Sequence, residues 1–487
     1  MTELHYLDAA TALRLFRTRE LSPVELMEAV IARTEAVNGE INALTETLFE
    51  EALPAARQAA AKYARGRDLA PLLGLPVAAK EKHGLKGRTL SQGLVARKDE
   101  LASEDHPVID RIRSAGGIVH ARTTTPEYSC ATVTHSPLWG VTRNPWNLEF
   151  SPGGSSGGSG AALAAGLAPL ATASDIAGST RLPASFTGTV GYKAPYGRIP
   201  GMAPLSADHY RGDGPMARTV ADTALLAGVM AGRHPGDHTS LADSPGLWPP
   251  PGLEKHDGVA SVAGTAVTGM KIALCIRLGN YPVAPDVEAN THAVAAALRD
   301  AGAVVQEIEL PWTTTSISRT MFTHFGYLLG PAMEDDTEGS TELLAPYTRR
   351  FMADARRAAE ENRFVDGIRA ETRLQAELAA AMAGFDALIC PASAVAALDA
   401  DGMYLDGIDA GGQELEHYWQ GHMTAPFNIA NRCPVLAVPS GMADCGIPTG
   451  VQIVGHPYDD ATVFKVGAAV ETVRPWAARR PGVWAMA

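Results

Sequence analysis

Apolar residues recur along the chain with the two spacings that distinguish helices from strands. Near the amino terminus, Leu26, Val30 and Val37 share one face of a predicted helix. Ser22 begins this helix, because Ser-Pro-Val-Glu is a capping box with proline at the first helical position. The sequence predicts that the helix ends before Gly39, so the first part of the chain is predicted to consist of packed helices.

Short apolar runs farther along predict strands that alternate with amphipathic helices. Residues 75–80 form an apolar strand that ends on a lysine. A helix over 106–114 and a strand over 118–121 follow, and residues 270–310 repeat the order strand, helix, strand. Such alternation is typical of α/β proteins. Three later apolar runs are also predicted to be strands: 387–390, 435–438 and 450–454.

We find no internal repeat and no clean interdomain linker in the sequence. We therefore expect one domain over residues 1–487, an α/β fold with a large central mixed, mostly twisted β-sheet flanked by helices. Within it we expect a helical segment over 1–65, a core over 70–220, a surface loop over 233–264 and a helical excursion over 313–385.

The chain is organised around residues 151–188, which hold two glycine-flanked serine sites, Ser155–Ser156 and Ser179. Glycine costs up to about 1 kcal/mol relative to alanine inside a helix, so such clusters are typical of sharp bends or close backbone approaches. The apolar run 161–173 lies between the two sites. A membrane span needs about 20 apolar residues, so this shorter run predicts a buried helix.

Composition restricts the functions that are open to the chain. Of its 487 residues 46% are hydrophobic and 20% are charged, which indicates a globular protein. The net charge of −13 argues against nucleic acid as a partner. Five scattered cysteines fit a reduced compartment, and no CxxC or HExxH motif supports a metal site. The amino terminus has no apolar signal region, so we expect a cytoplasmic protein with no membrane association.

Gly153-Gly154-Ser155-Ser156-Gly157 matches G-x-S-x-G, the nucleophile elbow of α/β-hydrolases. That interpretation makes Ser155 a nucleophile with a histidine base. The match is weak, since any stretch rich in glycine and serine produces it. No GK[ST] follows, which excludes a phosphate-binding P-loop. Taken alone, the cluster fits a turn or linker better than it fits a catalytic loop.

Six segments together resemble the amidase signature family, and the resemblance extends over about residues 4–470. The central motif is long and specific, unlike G-x-S-x-G alone. The segments are 74–82 (GLPVAAKEK), 144–166 (NPWNLEFSPGGSSGGSGAALAAG), 174–200 (SDIAGSTRLPASFTGTVGYKAPYGRIP), 386–392 (DALICPA), 424–441 (TAPFNIANRCPVLAVPSG) and 446–455 (GIPTGVQIVG).

The resemblance implies a Ser–cis-Ser–Lys catalytic set. Ser179 takes the position of the nucleophile, Ser155 that of the relay serine and Lys80 that of the base. A serine hydroxyl needs a base, and lysine is a base only when neutral, which requires a pKa lowered by roughly 3 units. Burial at the end of an apolar strand would lower the pKa of Lys80 in this way. The expected oxyanion hole consists of the backbone N–H groups of Ile176, Ala177, Gly178 and Ser179.

Other matched positions have supporting roles in this interpretation. Ala177 stands where many family members have glycine, so we expect its methyl group either to narrow the pocket or to strain the backbone. The expected supporting residues are Ser156, Asp175 and Arg181, and the expected substrate-binding residues are Tyr128, Ser129 and Cys130.

The resemblance implies an amidase that hydrolyses a carboxylic amide through an acyl-enzyme. Three other substrates stay open: an aryl amide, which an aryl acylamidase hydrolyses, an ester, and a carbamate, which a urethanase hydrolyses. The substrate is expected to be a small molecule, with no cofactor and no metal, and the helical excursion is expected to border its pocket. Members of the family are often dimers, which leaves a homodimer open. The alternatives are a glutaminase subunit of a tRNA-dependent amidotransferase, an α/β-hydrolase using Ser155 and a histidine, and an acyl-binding protein without turnover.

Overall fold

The structure is a computed structural model that describes residues 3–242, 253–256, 259–262 and 267–482. The α-helices of these residues are α1 (Ala9–Thr18), α2 (Pro23–Ile41), α3 (Phe49–Arg65), α4 (Pro107–Ser114), α5 (Gly157–Ala164), α6 (Arg181–Thr187), α7 (Val220–Met230), α8 (Pro285–Asp300), α9 (Thr314–Tyr327), α10 (Leu329–Asp336), α11 (Pro346–Glu361), α12 (Phe364–Ala381), α13 (Pro426–Ile429) and α14 (Asp460–Val473).

The strands of the same residues are β1 (Leu44–Thr47), β2 (Pro76–Lys80), β3 (Ile118–Thr123), β4 (His135–Ser136), β5 (Gly140–Val141), β6 (Leu170–Asp175), β7 (Val190–Lys193), β8 (Gly212–Ala217), β9 (Leu253–His256), β10 (Val259–Val262), β11 (Lys271–Leu274), β12 (Val304–Glu307), β13 (Ala387–Pro391), β14 (Ile408–Ala410), β15 (Gln413–Leu415), β16 (Val435–Met442) and β17 (Pro448–Gly455).

Eleven of these strands form one mixed sheet in the order β1-β3-β2-β6-β8-β7-β16-β17-β13-β11-β12. Strand β2 pairs in parallel with both β3 and β6, and β11 pairs in parallel with both β12 and β13. The remaining pairs of the sheet are antiparallel. The predicted single α/β domain with a large mixed sheet is therefore confirmed, as is the parallel strand–helix–strand unit within residues 270–310.

Each face of the sheet is covered by its own hydrophobic core. In β13, Leu388 belongs to one core and Ile389 to the other, as the alternation of side chains along a strand requires. The first core also contains Phe325 of α9 and Phe351 of α11, from the helical region 313–385. The second core joins the amino-terminal helices to α7, α8 and α14. In the described part of the chain, no helix combines the length and apolarity needed to span a membrane.

Helix α2 confirms the capping box, in which the Ser22 side chain accepts from the backbone and the Glu25 carboxylate accepts from the backbone N–H of Ser22. The predicted end before Gly39 is wrong, since the helix continues to Ile41. A Cβ built at Gly39 meets no atom within 4 Å, so nothing forces a bend there. The chain leaves the helix at Asn42, which adopts the left-handed conformation with φ 49°.

The apolar run 161–173 is also not one helix. Helix α5 ends at Ala164, and the fully buried strand β6 begins at Leu170. Gly166, with φ +80°, turns the chain after the helix, and Pro169 does not continue it. In the predicted surface loop 233–264, β9 and β10 pair as an antiparallel hairpin. Residues 243–252, 257–258 and 263–264 of that loop lie outside the described residues.

Candidate active site

The predicted site residues lie at the carboxyl ends of two neighbouring strands, β2 and β6, and in the loops beside them. Strand β2 ends at Lys80, and the adjacent β6 ends at Asp175. Because β2 and β6 are parallel neighbours, their carboxyl ends lie side by side. The loop 176–180 follows β6 and leads into α6, while the loop that holds Ser155 leads into α5. Both glycine-flanked serine sites therefore meet the end of β2.

Lys80 is fully buried, and its ammonium position is surrounded by serine hydroxyls. Nζ lies 2.7 Å from Ser155 Oγ, 3.0 Å from Ser156 Oγ and 3.1 Å from Ser174 Oγ. No carboxylate of a described residue lies within ion-pair distance of this Nζ. Burial holds the pKa of Lys80 well below its ordinary value, and the positive charge of Lys82 lowers it further. The surroundings of Lys80 thus favour a neutral amine among hydroxyl groups.

Ser155 and Ser156 lie in a loop whose backbone passes very close to its neighbours. The peptide bond between Gly154 and Ser155 is cis. A Cβ at Gly154 would lie 2.6 Å from the carbonyl oxygen of Ala131, so only glycine fits there. The backbone N–H of Ser156 donates to the carbonyl oxygen of Ser179 at 3.2 Å. This bond joins the first serine site to the second.

Ser179 is buried, with 2% of its surface exposed, and lines the same narrow cleft as Ser155. Among the described residues, its Oγ has no hydrogen-bond partner. A buried polar atom without a partner is uncommon, and such atoms require an explanation. The Ser179 hydroxyl therefore lines the cleft with Ser155, and no other described group occupies its proton or its lone pairs.

A buried ion pair holds the loop that carries Ser179. The Asp175 carboxylate accepts from Arg181 Nη2 at 2.9 Å and Nε at 3.0 Å, and from the backbone N–H of Thr180 at 3.2 Å. Burial alone raises the pKa of Asp175, but the charge and hydrogen bonds of Arg181, the hydrogen bond from Asn428 and the charge of Lys193 together outweigh it, and the pKa falls to about 2. Asn428 also donates to Asp175 at 2.9 Å. The Asp175 carboxylate is thus charged, and it ties the start of the loop 176–180 to Thr180 and Arg181 at its end.

The same carboxylate changes the expected oxyanion hole. The N–H of Gly178 donates to Asp175 Oδ1 at 2.8 Å, so it is occupied and does not point to a developing oxyanion. Gly178 is therefore removed from the expected set of four donors, and Ile176, Ala177 and Ser179 stay predicted donors. Ala177 does not have a positive φ and is buried, and its carbonyl accepts from Thr424 Oγ1 at 2.6 Å. Of the two effects considered for Ala177, backbone strain is therefore absent.

The three expected substrate-binding residues lie in the narrow cleft, and their role in binding substrate stays a prediction. Tyr128, Ser129 and Cys130 line the cleft together with Ser155 and Ser179. Phe325, which the sequence offered as apolar pocket surface, also lines the cleft. The other residues of its apolar wall and its cation were not assigned to it from the sequence: Leu329, Phe351, Trp419 and Arg211. The three apolar residues lie far along the chain from the serines, and no sequence pattern joins them or Arg211 to the serines.

Two hydroxyl residues of β6 were missed although the sequence held a signal for them. Ser174 lies beside Lys80 Nζ, and Thr172 Oγ1 accepts from the backbone N–H of Lys80 at 2.9 Å. These polar residues alternate with Ala171 and Ala173, so they share one face of the strand. Polar residues at every second position of a buried strand indicate a common polar partner, here Lys80.

A second polar cluster lies behind Lys80, and it offers the atoms that a metal ion would need. Asp213 contacts His83 Nε2 at 2.9 Å, His106 Nε2 at 3.5 Å and Lys82 Nζ at 3.8 Å. Burial lowers the pKa of His83 and lowers that of His106 to about 3, which keeps both rings neutral. The Lys82 ammonium beside the carboxylate opposes a second cation. We therefore interpret the cluster as hydrogen-bonded support, with His83 Nδ1 2.8 Å from Thr172.

Comparison with known proteins agrees with this fold. The Amidase family model matches residues 25–464. An acylamidase from Rhodococcus erythropolis is 34% identical over 494 residues, covering 99% of this chain and 98% of the relative. A glutamyl-tRNA(Gln) amidotransferase subunit from Chloroflexus aggregans is 31% identical, with 99% of both chains covered. The solved structure of a bacterial aryl acylamidase of the amidase signature family superposes with a TM-score of 0.86 at 26% identity, covering 97% of both chains.

The chain therefore belongs to the amidase signature family. It is an enzyme of the class that hydrolyses carbon–nitrogen bonds other than peptide bonds. Family membership also excludes the α/β-hydrolase alternative. In agreement with that, the described contact of Ser155 Oγ is with Lys80 and not with a histidine.

The loop before Ser179 makes a first prediction possible. Gly178 has φ +127°, and a Cβ there would lie 2.0 Å from Thr424 Oγ1. Gly178→Ala therefore has to displace the loop and with it Ser179. We expect about a 100-fold loss of kcat on an amide substrate, the cost typical of a reacting group misplaced by about 1 Å. Steady-state kinetics with circular dichroism as a folding check measures it.

Gly39→Ala is the matched control for that variant, because it adds the same methyl group in open space within α2. It should leave kcat unchanged and stabilise the helix by up to about 1 kcal/mol. Full activity in Gly178→Ala would contradict the close packing that the structure shows around this loop.

Proposed function

We propose that this protein is an amidase that hydrolyses a carboxylic amide through Lys80, Ser155 and Ser179, with an acyl-enzyme on Ser179. The observation that carries the proposal is the 2.7 Å contact between the buried Lys80 Nζ and Ser155 Oγ. The lowered pKa of Lys80 supports its role as a base, because a neutral amine accepts a proton whereas an ammonium does not.

The proposed steps conserve every proton. Neutral Lys80 takes the hydroxyl proton of Ser155, Ser155 takes that of Ser179, and Ser179 Oγ attacks the carbonyl carbon. The negative charge on the carbonyl oxygen faces the backbone N–H groups of Ile176, Ala177 and Ser179. When the carbon–nitrogen bond breaks, the proton returns through Ser155 to the leaving amine. Water then attacks the acyl-enzyme by the same proton path and releases the acid.

The shape of the cleft supports an apolar acyl group. Its wall is formed by aromatic and aliphatic side chains: Tyr128, Phe325, Leu329, Phe351 and Trp419. Burial of an apolar group against such a wall is worth about 25 cal/mol for each Å² removed from water. We therefore propose aromatic or branched acyl groups, in amides, aryl amides, esters or carbamates. The homodimer and the cytoplasmic location stay predictions of the sequence.

Covalent labelling tests the proposed nucleophile directly. A fluorophosphonate that reacts with an activated serine is expected to modify the peptide that contains Ser179 and to leave Ser155 free. Peptide mass spectrometry identifies the modified residue, and an acyl-enzyme trapped from a slow ester should give the same position. Modification of Ser155 with Ser179 unmodified would disprove this assignment.

The similarity to a glutamyl-tRNA(Gln) amidotransferase favours one second candidate, a glutaminase that passes ammonia to a partner protein. Assay with glutamine as the substrate separates the two candidates. Ammonia release from glutamine that exceeds the hydrolysis of anilides would favour the glutaminase. Hydrolysis of anilides by the isolated chain, with little release from glutamine, would favour the amidase.

A further inference from the structure

Arg211 lies at the junction of two cavities. It lines the narrow cleft that contains Ser155 and Ser179, and it also lines a larger chamber next to that cleft. We call this chamber the outer chamber; its charged residues are Lys82, Arg97, Arg211, Asp213, Asp237 and Asp336. A substrate that fills the cleft and extends into the outer chamber therefore passes Arg211.

The other cations of the outer chamber have acidic partners. Lys82 Nζ lies 3.8 Å from Asp213, and Arg97 Nη1 lies 3.4 Å from Asp336. Arg211 differs, because its guanidinium has no ion pair and no hydrogen bond to any residue that the structure describes. Buried and half-buried guanidinium groups ordinarily have such partners. A half-buried arginine without one, beside a reactive serine, has its donors available for a ligand.

The Asp237 carboxylate does not compensate for this charge, since it is used within its own loop. It accepts from the backbone N–H groups of Gly201 and Thr239 at 2.9 Å each, and from Thr239 Oγ1 at 2.7 Å. Asp208 interacts with the charge of Arg211 only from beyond ion-pair distance, and it is itself paired with a buried histidine. No carboxylate of a described residue therefore contacts the Arg211 guanidinium where the cleft meets the outer chamber.

The backbone of Arg211 is held in place relative to the Ser179 loop. Its N–H donates to the carbonyl oxygen of Asp208 at 3.0 Å, and its carbonyl accepts from Asn431 Nδ2 at 3.1 Å. The next residue, Gly212, begins β8 and pairs with Asp175 at the end of β6. These bonds fix the base of the side chain beside the loop 176–180. Because the backbone of Arg211 is held in place, less conformational entropy is lost when its guanidinium binds a ligand.

We propose that Arg211 binds a carboxylate on the amine half of the substrate, so that the preferred substrates are amides of carboxylate-bearing amines. A guanidinium matches a carboxylate with two parallel hydrogen bonds, which gives both affinity and orientation. The apolar wall of the cleft suits the acyl half of the substrate. The amine half of the substrate then lies toward the outer chamber, where it passes Arg211. This inference rests on the proposed amidase function and names the substrate class of that same site.

A pair of substrates that differ only in charge tests the assignment. The probes are the phenylacetyl amides of 4-aminobenzoate and of the neutral 4-aminobenzamide. We expect the wild-type protein to hydrolyse the carboxylate with at least a 10-fold higher kcat/KM, about the value of one charge-assisted hydrogen bond. Arg211→Gln should lose about 10- to 100-fold on the carboxylate, mainly through KM, and less than about 3-fold on the neutral amide.

Arg88→Gln is the matched control, because it removes the same charge from a residue that does not line either cavity. It should keep the preference of the wild-type protein. A readout independent of turnover is the Kd of each intact amide for the Ser179→Ala variant, measured by calorimetry. Adding Arg211→Gln to that variant should weaken binding of the carboxylate alone.

The outcomes separate this inference from the proposed function. Equal hydrolysis of the two amides by the wild-type protein, or equal losses on both in Arg211→Gln, would overturn the role of Arg211 and leave the amidase function standing. A third probe carries the carboxylate on the acyl half. If Arg211→Gln impairs only that probe, the assignment to the amine half is wrong. Absence of hydrolysis of every probe would instead contradict the proposed amidase.

Discussion

Replacement of Ser179 by alanine is expected to lower kcat for amide hydrolysis by at least about 10⁴-fold, the scale seen when a catalytic nucleophile is removed. Without the hydroxyl there is no acyl-enzyme, so the reaction loses its covalent step. The fold should tolerate the change, because Ser179 Oγ has no hydrogen bond to any described residue. Kinetics with an anilide measures the loss, and thermal unfolding should show a stability within about 0.5 kcal/mol of the wild-type value.

Ser440→Ala is the control for that experiment. Ser440 is also a buried serine, but it lies in β16, and its Oγ is 2.8 Å from the hydroxyl of Thr449. Its loss should cost about 1 kcal/mol of stability and leave kcat almost unchanged. An active Ser179→Ala protein would show that another group attacks the substrate, and the proposed mechanism would have to be abandoned.

Lys80→Met is expected to remove activity by about 10³-fold or more at every pH, because the proposed proton path then has no base. In the wild-type protein, activity should fall as pH decreases through the lowered pKa of Lys80, since protonation removes its lone pair. The acid limb of a plot of kcat/KM against pH reports that pKa in the free enzyme. Substrates without titratable groups keep the profile free of their own ionisation.

The same residue links stability to pH. Burial lowers the pKa of Lys80 in the folded protein, whereas the unfolded chain has its ordinary value of 10.5. Between these values the unfolded state binds more protons, so stability falls as pH decreases from 10.5 toward the folded pKa. Lys80→Met should remove this contribution, which urea unfolding at several pH values measures.

Lys193→Met is the matched control for Lys80→Met. Lys193 is also a buried lysine, and burial lowers its pKa to about 7. Its Nζ contacts the carbonyl oxygen of Cys433 at 2.9 Å and the side chain of Asn431, not a serine hydroxyl. Its replacement should lower stability and keep the acid limb of activity. If both lysine variants lost activity equally, burial of a lysine rather than its contact with Ser155 would be responsible.

Several parts of the molecule were predictable because their causes are local. The capping box at Ser22 and the strand that ends at Lys80 depend on neighbouring residues only, and both predictions are confirmed. The end of α2 was mispredicted, because a glycine in open space does not have to end a helix. The run 161–173 was mispredicted as one helix, since Gly166 turns the chain inside it.

In the candidate site, too, some features were predictable from the sequence and others were not. The resemblance of the motif segments to the amidase signature family identified Lys80, Ser155 and Ser179, and the structure brings Lys80 against Ser155 and places Ser179 in the same cleft. The place of Ser174 beside Lys80 could have been predicted from the alternation of polar residues in β6. The carboxylate of Asp175 takes the N–H of Gly178, and no pattern in the sequence indicates how one N–H is oriented.

The sequence by itself determined the family resemblance, the type of fold and the residues proposed for the chemistry, because the motif segments that carry the resemblance are continuous stretches of one chain. Only the tertiary structure decided that Lys80 is fully buried among hydroxyls, which aromatic side chains form the cleft, and that Arg211 has no acidic partner among the described residues. The reason is physical. Burial, desolvation and charge pairing depend on distances between segments far apart in the chain, and those distances exist only once the sheet has brought the segments together.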